Sequence, residues 1–241
     1  MPDAGGAEPP QDPRAAFAEL SRIMLGEQPL SATLTRVAEL AKRTIPGAAE
    51  VSVTLMQDGD AESVAFTGPL AAQLDERQYQ AGFGPCMDAA VSGATIPIDD
   101  TANSAAYPDF SRLARRHGIT HMMSVGLPVQ RQTIGALNIY GVDEGAFDEQ
   151  TQELATTFAS YAAVAVANAG LYASTAQLAA HLQRALDSRA VIDQAKGILM
   201  SRQGMSADAA FDLLSKQSQA ANRKLRDIAQ DLVDEVQRGQ D

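Results

Sequence analysis

Eight cationic side chains, Arg184, Arg189, Lys196, Arg202, Lys216, Arg223, Lys224 and Arg226, lie between residues 184 and 226 with only four acids among them, Asp187, Asp193, Asp208 and Asp212. Guanidinium and ammonium groups hold phosphate oxygens, Arg through a planar fork and Lys as a point charge. Arg189 and Arg202 stand seven before and six after Lys196. We read those offsets as leaving the three cations on roughly one side of a helix, where they could contact the phosphates of an RNA loop. A merely solvated charged face is the competing reading. Arg223 and Lys224 are expected in the first turn of a later helix, an end whose dipole disfavours cations and whose N–H groups could join them on a phosphate. Gly197 falls mid-helix, where glycine costs about 1 kcal/mol relative to alanine, and so suits the close approach of another helix or of RNA. Ser201, Ser215 and Gln219 are candidate partners for base edges. Phe211 shares helical spacing with Leu214, so it is assigned to the core rather than to base stacking.

Other chemistries find less support. Cys86 is the only cysteine, which excludes an internal disulfide or a cysteine-based zinc cluster. A redox-sensing or sulfoxide-reducing role would want a second, resolving thiol, so Cys86 is read as a small buried hydrophobe. His117, His121 and His181 are scattered, and Asp99-Asp100 and Asp58/Asp60 have no histidine at a useful spacing. Gly141-Val142-Asp143-Glu144-Gly145 reads as a loop, and no glycine-rich phosphate cradle is present. No catalytic or metal-ligating residue is assigned, and the cofactor is left unknown.

The chain has 241 residues and a formal charge of −11, from 19 basic and 30 acidic residues. Residues 1–179 hold ten of the basic and 21 of the acidic side chains, and the remainder holds nine of each. Wrapping of nucleic acid or an anionic membrane by the whole molecule is therefore disfavoured, whereas binding through the C-terminal end is not. Residues 1–13 include six Gly or Pro and are expected to be a disordered leader. With no basic start followed by an apolar run, the expected location is cytoplasmic.

The elements that must position these side chains follow from periodicity. Leu34, Val37, Leu40 and Ala41 predict a helix ended by Pro46-Gly47. Alternation over Ala49–Met56 predicts a strand, the run Gln57-Asp58-Gly59-Asp60 a turn, and Glu62–Thr67 its partner strand. Helices over Leu70–Arg77, near Ala89 and over Pro108–Gly118, a strand at Ala94–Asp99, and a hairpin of Met122–Gln130 with Gln132–Tyr140 complete an α+β domain, an antiparallel sheet with helices gathered on one face. Leu154 to Gln183 is thirty residues without a formal charge, long enough to span a bilayer. Its alanine, threonine and serine content partitions weakly, however, so no membrane partner is expected. A long helix is predicted instead, with a seam of Leu154, Phe158, Tyr161, Ala165, Asn168, Tyr172 and Thr175, and Leu171, Leu178 and Leu182 alongside. It is read as a connector that joins two copies of the chain. Three short helices follow, carrying Val191–Leu199, Ala210–Leu214 from an N-cap at Ser206, and Leu225–Val236 from a start near Asn222.

The run Arg189-Ala190-Val191-Ile192-Asp193-Gln194-Ala195-Lys196-Gly197-Ile198-Leu199-Met200, with Ala209, Ala210, Phe211, Leu214 and Asn222–Ala229, resembles an ANTAR domain. Phe83-Gly84-Pro85-Cys86-Met87-Asp88-Ala89 followed by Pro97-Ile98-Asp99-Asp100 resembles a GAF domain. The order implied is a GAF sensor at 14–165, a helical connector and dimerisation segment at 166–180, and a three-helix ANTAR bundle at 181–241. The resemblance implies RNA-binding antitermination, in which a homodimer holds paired stem-loops with hexanucleotide loops and favours an antiterminator over a terminator hairpin. Its RNA contacts would be Arg189, Lys196, Gly197, Arg202, Ser215, Gln219, Arg223 and Lys224. An unknown small molecule or protein would act at the sensor. No receiver domain is present, so phosphorylation of a receiver aspartate is not the expected input. The alternatives are a protein-interaction module with no RNA role and, third, a thiol enzyme at Cys86.

Overall fold

The computed structural model describes residues 11–25, 29–57, 60–130, 132–143 and 147–238. It comprises two compact units, Met1–Ala173 and Ser174–Asp241, and the fold is mixed α+β with an antiparallel sheet. In the first unit the order is α1 (Pro13–Leu25), α2 (Leu30–Thr44), β1 (Glu50–Gln57), β2 (Asp60–Phe66), α3 (Pro69–Ala81), α4 (Pro85–Ser92), β3 (Thr95–Ile98), α5 (Pro108–Arg116), β4 (His121–Val129) and β5 (Gln132–Gly141), then α6 (Glu149–Gln203). Every pairing is antiparallel, and the strand order is β2-β1-β5-β4-β3.

Both faces of this sheet are covered, which corrects the expectation of helices on one face only. On one side Val51, Val53, Met123, Val125, Leu137 and Ile139 pack with Leu34 and Val37 of α2, Leu20 of α1 and Phe158 of α6. On the other, Met122 and Tyr140 meet Leu74 of α3 and Phe110 of α5, while Cys86 and Ala89 of α4 pack on Ala136. The signal lay in β4 and β5, which are buried over consecutive residues from His121 to Leu127 and from Gly135 to Gly141. Strands sandwiched between two layers read as continuous runs, not as alternation. In β1 the alternation is real, yet its polar members Ser52 and Thr54 are buried too.

The expected leader is shorter than residues 1–13. Positions 1–10 lie outside the described residues, but Gln11 N donates to Arg43 O at 2.7 Å, and α1 starts at Pro13. Asp12 Oδ1 accepts from Arg14 N at 3.0 Å, so Asp12-Pro13 is a helix start of the cap-then-proline kind. The expected turn residues Asp58 and Gly59, and Glu144 and Gly145 of the later loop, also lie outside the described residues.

Helix α6 is long and apolar enough to cross a membrane by length and composition, but part of its apolar surface serves the sensor core. Phe158 is fully buried and Ala155, Ala159, Ala162 and Val166 lie beside it. The predicted seam is therefore divided. Phe158 and Ala165 are consumed by the core, whereas Tyr161, Tyr172, Leu171, Leu178 and Leu182 stay exposed, as does Leu186 one turn further on.

In the second unit the last turns of α6 pack with α7 (Ala207–Ala221) and α8 (Leu225–Arg238). Its core is Ala195 and Leu199 from α6, Ala210 and Leu214 from α7, and Ala229 and Val233 from α8. Gly204, at φ +66°, ends α6. Ser206 Oγ then accepts from Ala209 N at 3.2 Å and caps α7.

Candidate nucleic-acid interface

The cations predicted to act together are brought together only in part. Successive helical residues are turned by about 100°, so Arg189 and Lys196 lie roughly 20° apart around α6, but Arg202 is roughly 120° away. Because α6 is unbroken from Glu149 to Gln203, the reading of three cations on one side is corrected to two. Asp193 sits with that pair. Its Oδ1 accepts from Lys196 Nζ at 3.0 Å, and its Oδ2 is 3.9 Å from Arg189 Nε. Exposed pairs of this kind contribute little to stability, so a phosphate can replace Asp193 at small cost.

Arg223 and Lys224 do not occupy the first turn of α8, which starts at Leu225. Asn222 takes the left-handed conformation, φ 50°, and closes α7, its own N–H bonded to Gln219 O. This shifts the two cations into the inter-helix turn, where Lys224 O accepts from Asp227 N at 2.9 Å. Lys224 O also accepts from Ile228 N at 3.3 Å, so Lys224 is the N-cap of α8 and both cations remain beside the positive end of the helix dipole. Arg223 is held back along α8, its Nη1 2.7 Å from Asp231 Oδ2. That hydrogen bond, and then the charge of Asp231, raise the Arg223 pKa above its ordinary value, and the same bond with the charge of Arg223 lowers that of Asp231.

Ser201, Arg202 and Gln219 are exposed and Ser215 is half-buried. A Cβ added at Gly197 would meet nothing within 4 Å, so helix packing in this unit does not require the glycine. Phe211 departs from its core assignment, being 44% exposed. Ala210 and Leu214 take the core positions of α7, and Phe211 is turned about 100° from the first and about 60° from the second.

The sensor interior contains a polar centre that sequence reasoning missed. Asn138 on β5 donates through Nδ2 toward Ser52 Oγ (3.1 Å), Thr54 Oγ1 (3.0 Å), Asp75 Oδ1 (3.2 Å) and Cys86 Sγ (3.2 Å), and its Oδ1 accepts from Ser124 Oγ at 2.8 Å. Tyr140 OH donates to Asp75 Oδ1 at 2.5 Å. Asp75, Asn138 and Tyr140 are all fully buried. Burial first, and then the charge of Asp75, push the Tyr140 hydroxyl well above its ordinary pKa. A lone asparagine between Leu137 and Ile139 in an apolar strand was the available signal, since a buried amide must be bonded.

Cys86 lies in this centre, 3.2 Å from Thr54 Oγ1, with its backbone N donating to Gln78 Oε1 at 2.9 Å. Burial, with the charge of Asp75 second, pushes the thiol up to about 12. Only the thiolate alkylates, so the raised pKa and the burial together keep the native thiol unreactive. Iodoacetamide should accordingly leave Cys86 unmodified in the native protein at pH 7–9 and label it on unfolding in urea. Rapid native labelling would contradict the buried placement.

A model of the GAF domain matches residues 27–167, and a model of the ANTAR domain matches residues 180–233. No curated protein matches the chain. Among solved structures, the GAF domain from a phosphoenolpyruvate-protein phosphotransferase (ptsP) of Coxiella burnetii is 17% identical, with 67% of this chain and 96% of that one covered and a TM-score of 0.52. The reduced form of fRMsr of Staphylococcus aureus is 15% identical over 65% of this chain and 96% of that one, TM-score 0.51. Bacteriophytochrome RpBphP3 of R. palustris is 12% identical over 83% of this chain and 45% of that one, TM-score 0.52. At such identities the shared property is the fold of the sensor unit. With the sensor model covering more than half of the sequence and the second model covering the three-helix unit, the chain belongs to the GAF- and ANTAR-domain regulatory proteins.

Proposed function

We propose that this chain is a cytoplasmic RNA-binding antitermination regulator. Its C-terminal bundle holds RNA stem-loops with six-nucleotide loops, under control of a small molecule or protein acting on the sensor. The observation that carries the reading is the pairing of Arg189 and Lys196 on one face of α6, inside the segment matched by the ANTAR domain. Cations of this kind position an RNA backbone while polar groups read unstacked loop bases.

Two loops need two modules. The exposed row Leu178, Leu182 and Leu186 on α6 supplies an apolar surface on which a second copy would dock, converting weak single contacts into avidity. The direct test is a gel shift with a two-hairpin, six-nucleotide-loop RNA at stated salt, beside sedimentation of the free protein. Absence of binding would remove the function, and capture of a protein partner without RNA would favour the interaction-module alternative.

Gly197 separates structure from function in this reading. Gly197→Ala has open space for its methyl group, so it should raise helix stability by about 1 kcal/mol. If RNA backbone approaches closely there, the same variant binds RNA more weakly. A higher melting temperature with unchanged RNA affinity would take Gly197 out of the interface.

A further inference from the structure

Phe211 is the one Phe, Tyr or Trp in the sequence from Ser174 onward, and the bundle does not use it. The core of the unit is aliphatic, and the Phe211 ring is 44% exposed on α7. Residues four apart on a helix stand one above the other, so Phe211, Ser215 and Gln219 form one strip. The polar members of that strip are available. Helical Ser21, Thr35, Ser92, Thr156, Ser160 and Ser188 each donate to the carbonyl four residues back. Among the described residues, neither the Ser215 hydroxyl nor the Gln219 side-chain amide has an intramolecular hydrogen-bond partner. An exposed ring in line with an uncommitted hydroxyl and an uncommitted amide has the composition of a base-reading surface: a π face for stacking and edge groups for hydrogen bonds.

Resting on the RNA-binding reading above, we infer that this strip is the base-reading element of the bundle. Phe211 stacks one unpaired loop base, Ser215 meets the edge of that base one turn along, and Gln219 reads the neighbouring nucleotide. Charge favours RNA over a protein as occupant, because the segment from Arg184 to Arg226 holds eight cations against four acids. Asp208 and Asp212 flank the ring on α7 and repel phosphate. They leave the ring to a neutral base and direct the backbone toward the cations. The division of labour is then clear: Arg189 and Lys196 hold backbone irrespective of sequence, and the α7 strip selects.

The test uses the full chain and a synthetic RNA of two hairpins with six-nucleotide loops, with 2-aminopurine placed at one loop position at a time. Wild-type protein should quench the fluorophore at one position in the loop. Phe211→Leu should remove that quench and weaken binding roughly tenfold, with its thermal melt unchanged because the ring lies outside the core. Phe211→Tyr should restore both. Wild-type affinity and quench in Phe211→Leu would overturn the inference alone, as would a loss confined to self-association in sedimentation or to capture of a protein partner. Failure of the wild-type chain to bind any hairpin would overturn the RNA reading and this inference with it.

Discussion

Asn138→Leu is expected to lower the stability of the sensor unit by roughly 3–5 kcal/mol, seen as a fall in the urea midpoint of the sheet signal. Leucine keeps the branched heavy-atom outline of asparagine, so the loss is not a cavity effect. It arises because the two Nδ2 protons of Asn138 are shared among Ser52, Thr54, Asp75 and Cys86, while its Oδ1 takes the Ser124 proton. Each buried partner left unsatisfied costs about 1–3 kcal/mol. Asp75 is fully buried and would keep the Tyr140 hydroxyl, but the amide proton would be gone. Set against a typical total of about 5–15 kcal/mol, this is a large fraction. Stability of Asn138→Leu within about 1 kcal/mol of wild type would mean that the network is not a stabilising element.

The second large effect concerns RNA. On the proposed function, Arg189→Ala with Lys196→Ala should reduce affinity for the two-hairpin RNA roughly 30- to 100-fold at 0.15 M salt, as two charge-assisted phosphate contacts are lost. The slope of log affinity against log salt should become shallower by about 1.4, which is two contacts at about 0.7 each. Arg202→Ala should change affinity by less than about threefold, because its position around α6 separates it from the pair. Equal effects from Arg202 and Lys196 would show that the backbone path wraps the helix and would falsify the two-cation face. Asp193→Asn should bind slightly more tightly, the competing carboxylate having been removed from between the two cations.

Much of the fold was legible because it is written in short-range periodicity. Leu34, Val37 and Leu40 placed α2, the alternation of Val51, Val53 and Leu55 placed β1, and Ser206 placed the start of α7. The layering was not, since whether Ser52 and Thr54 face water or a buried amide depends on Asn138, which is 84 to 86 residues away in sequence. At the candidate interface the residue types are legible in the sequence, whereas their azimuths depend on α6 running unbroken through all three cations. Six residues from Lys196 to Arg202 do not complete whole turns of a helix. Arg223 and Lys224 fall before α8 and not within it because Asn222, just after Ala221, suits the left-handed cap that ends α7. Phe211 was assigned to the core because spacing alone does not distinguish a core position from its neighbour when alanine fills the core.

The strand order β2-β1-β5-β4-β3 also governs the time course of folding. The centre of the sheet is β5, which pairs with β1 across some ninety residues, as Val51 with Ile139, so the interior cannot close until nearly the whole sensor has been synthesised. Contacts of such sequence separation slow folding, typically to about milliseconds or seconds, whereas a small helical bundle with local contacts forms in about microseconds to milliseconds. During synthesis the sensor must therefore wait, with the apolar runs of β4 uncovered, for a strand made only a few residues later. Capture of β1 by the hairpin of β4 and β5 is therefore the step at which misassembly of this chain is expected to concentrate.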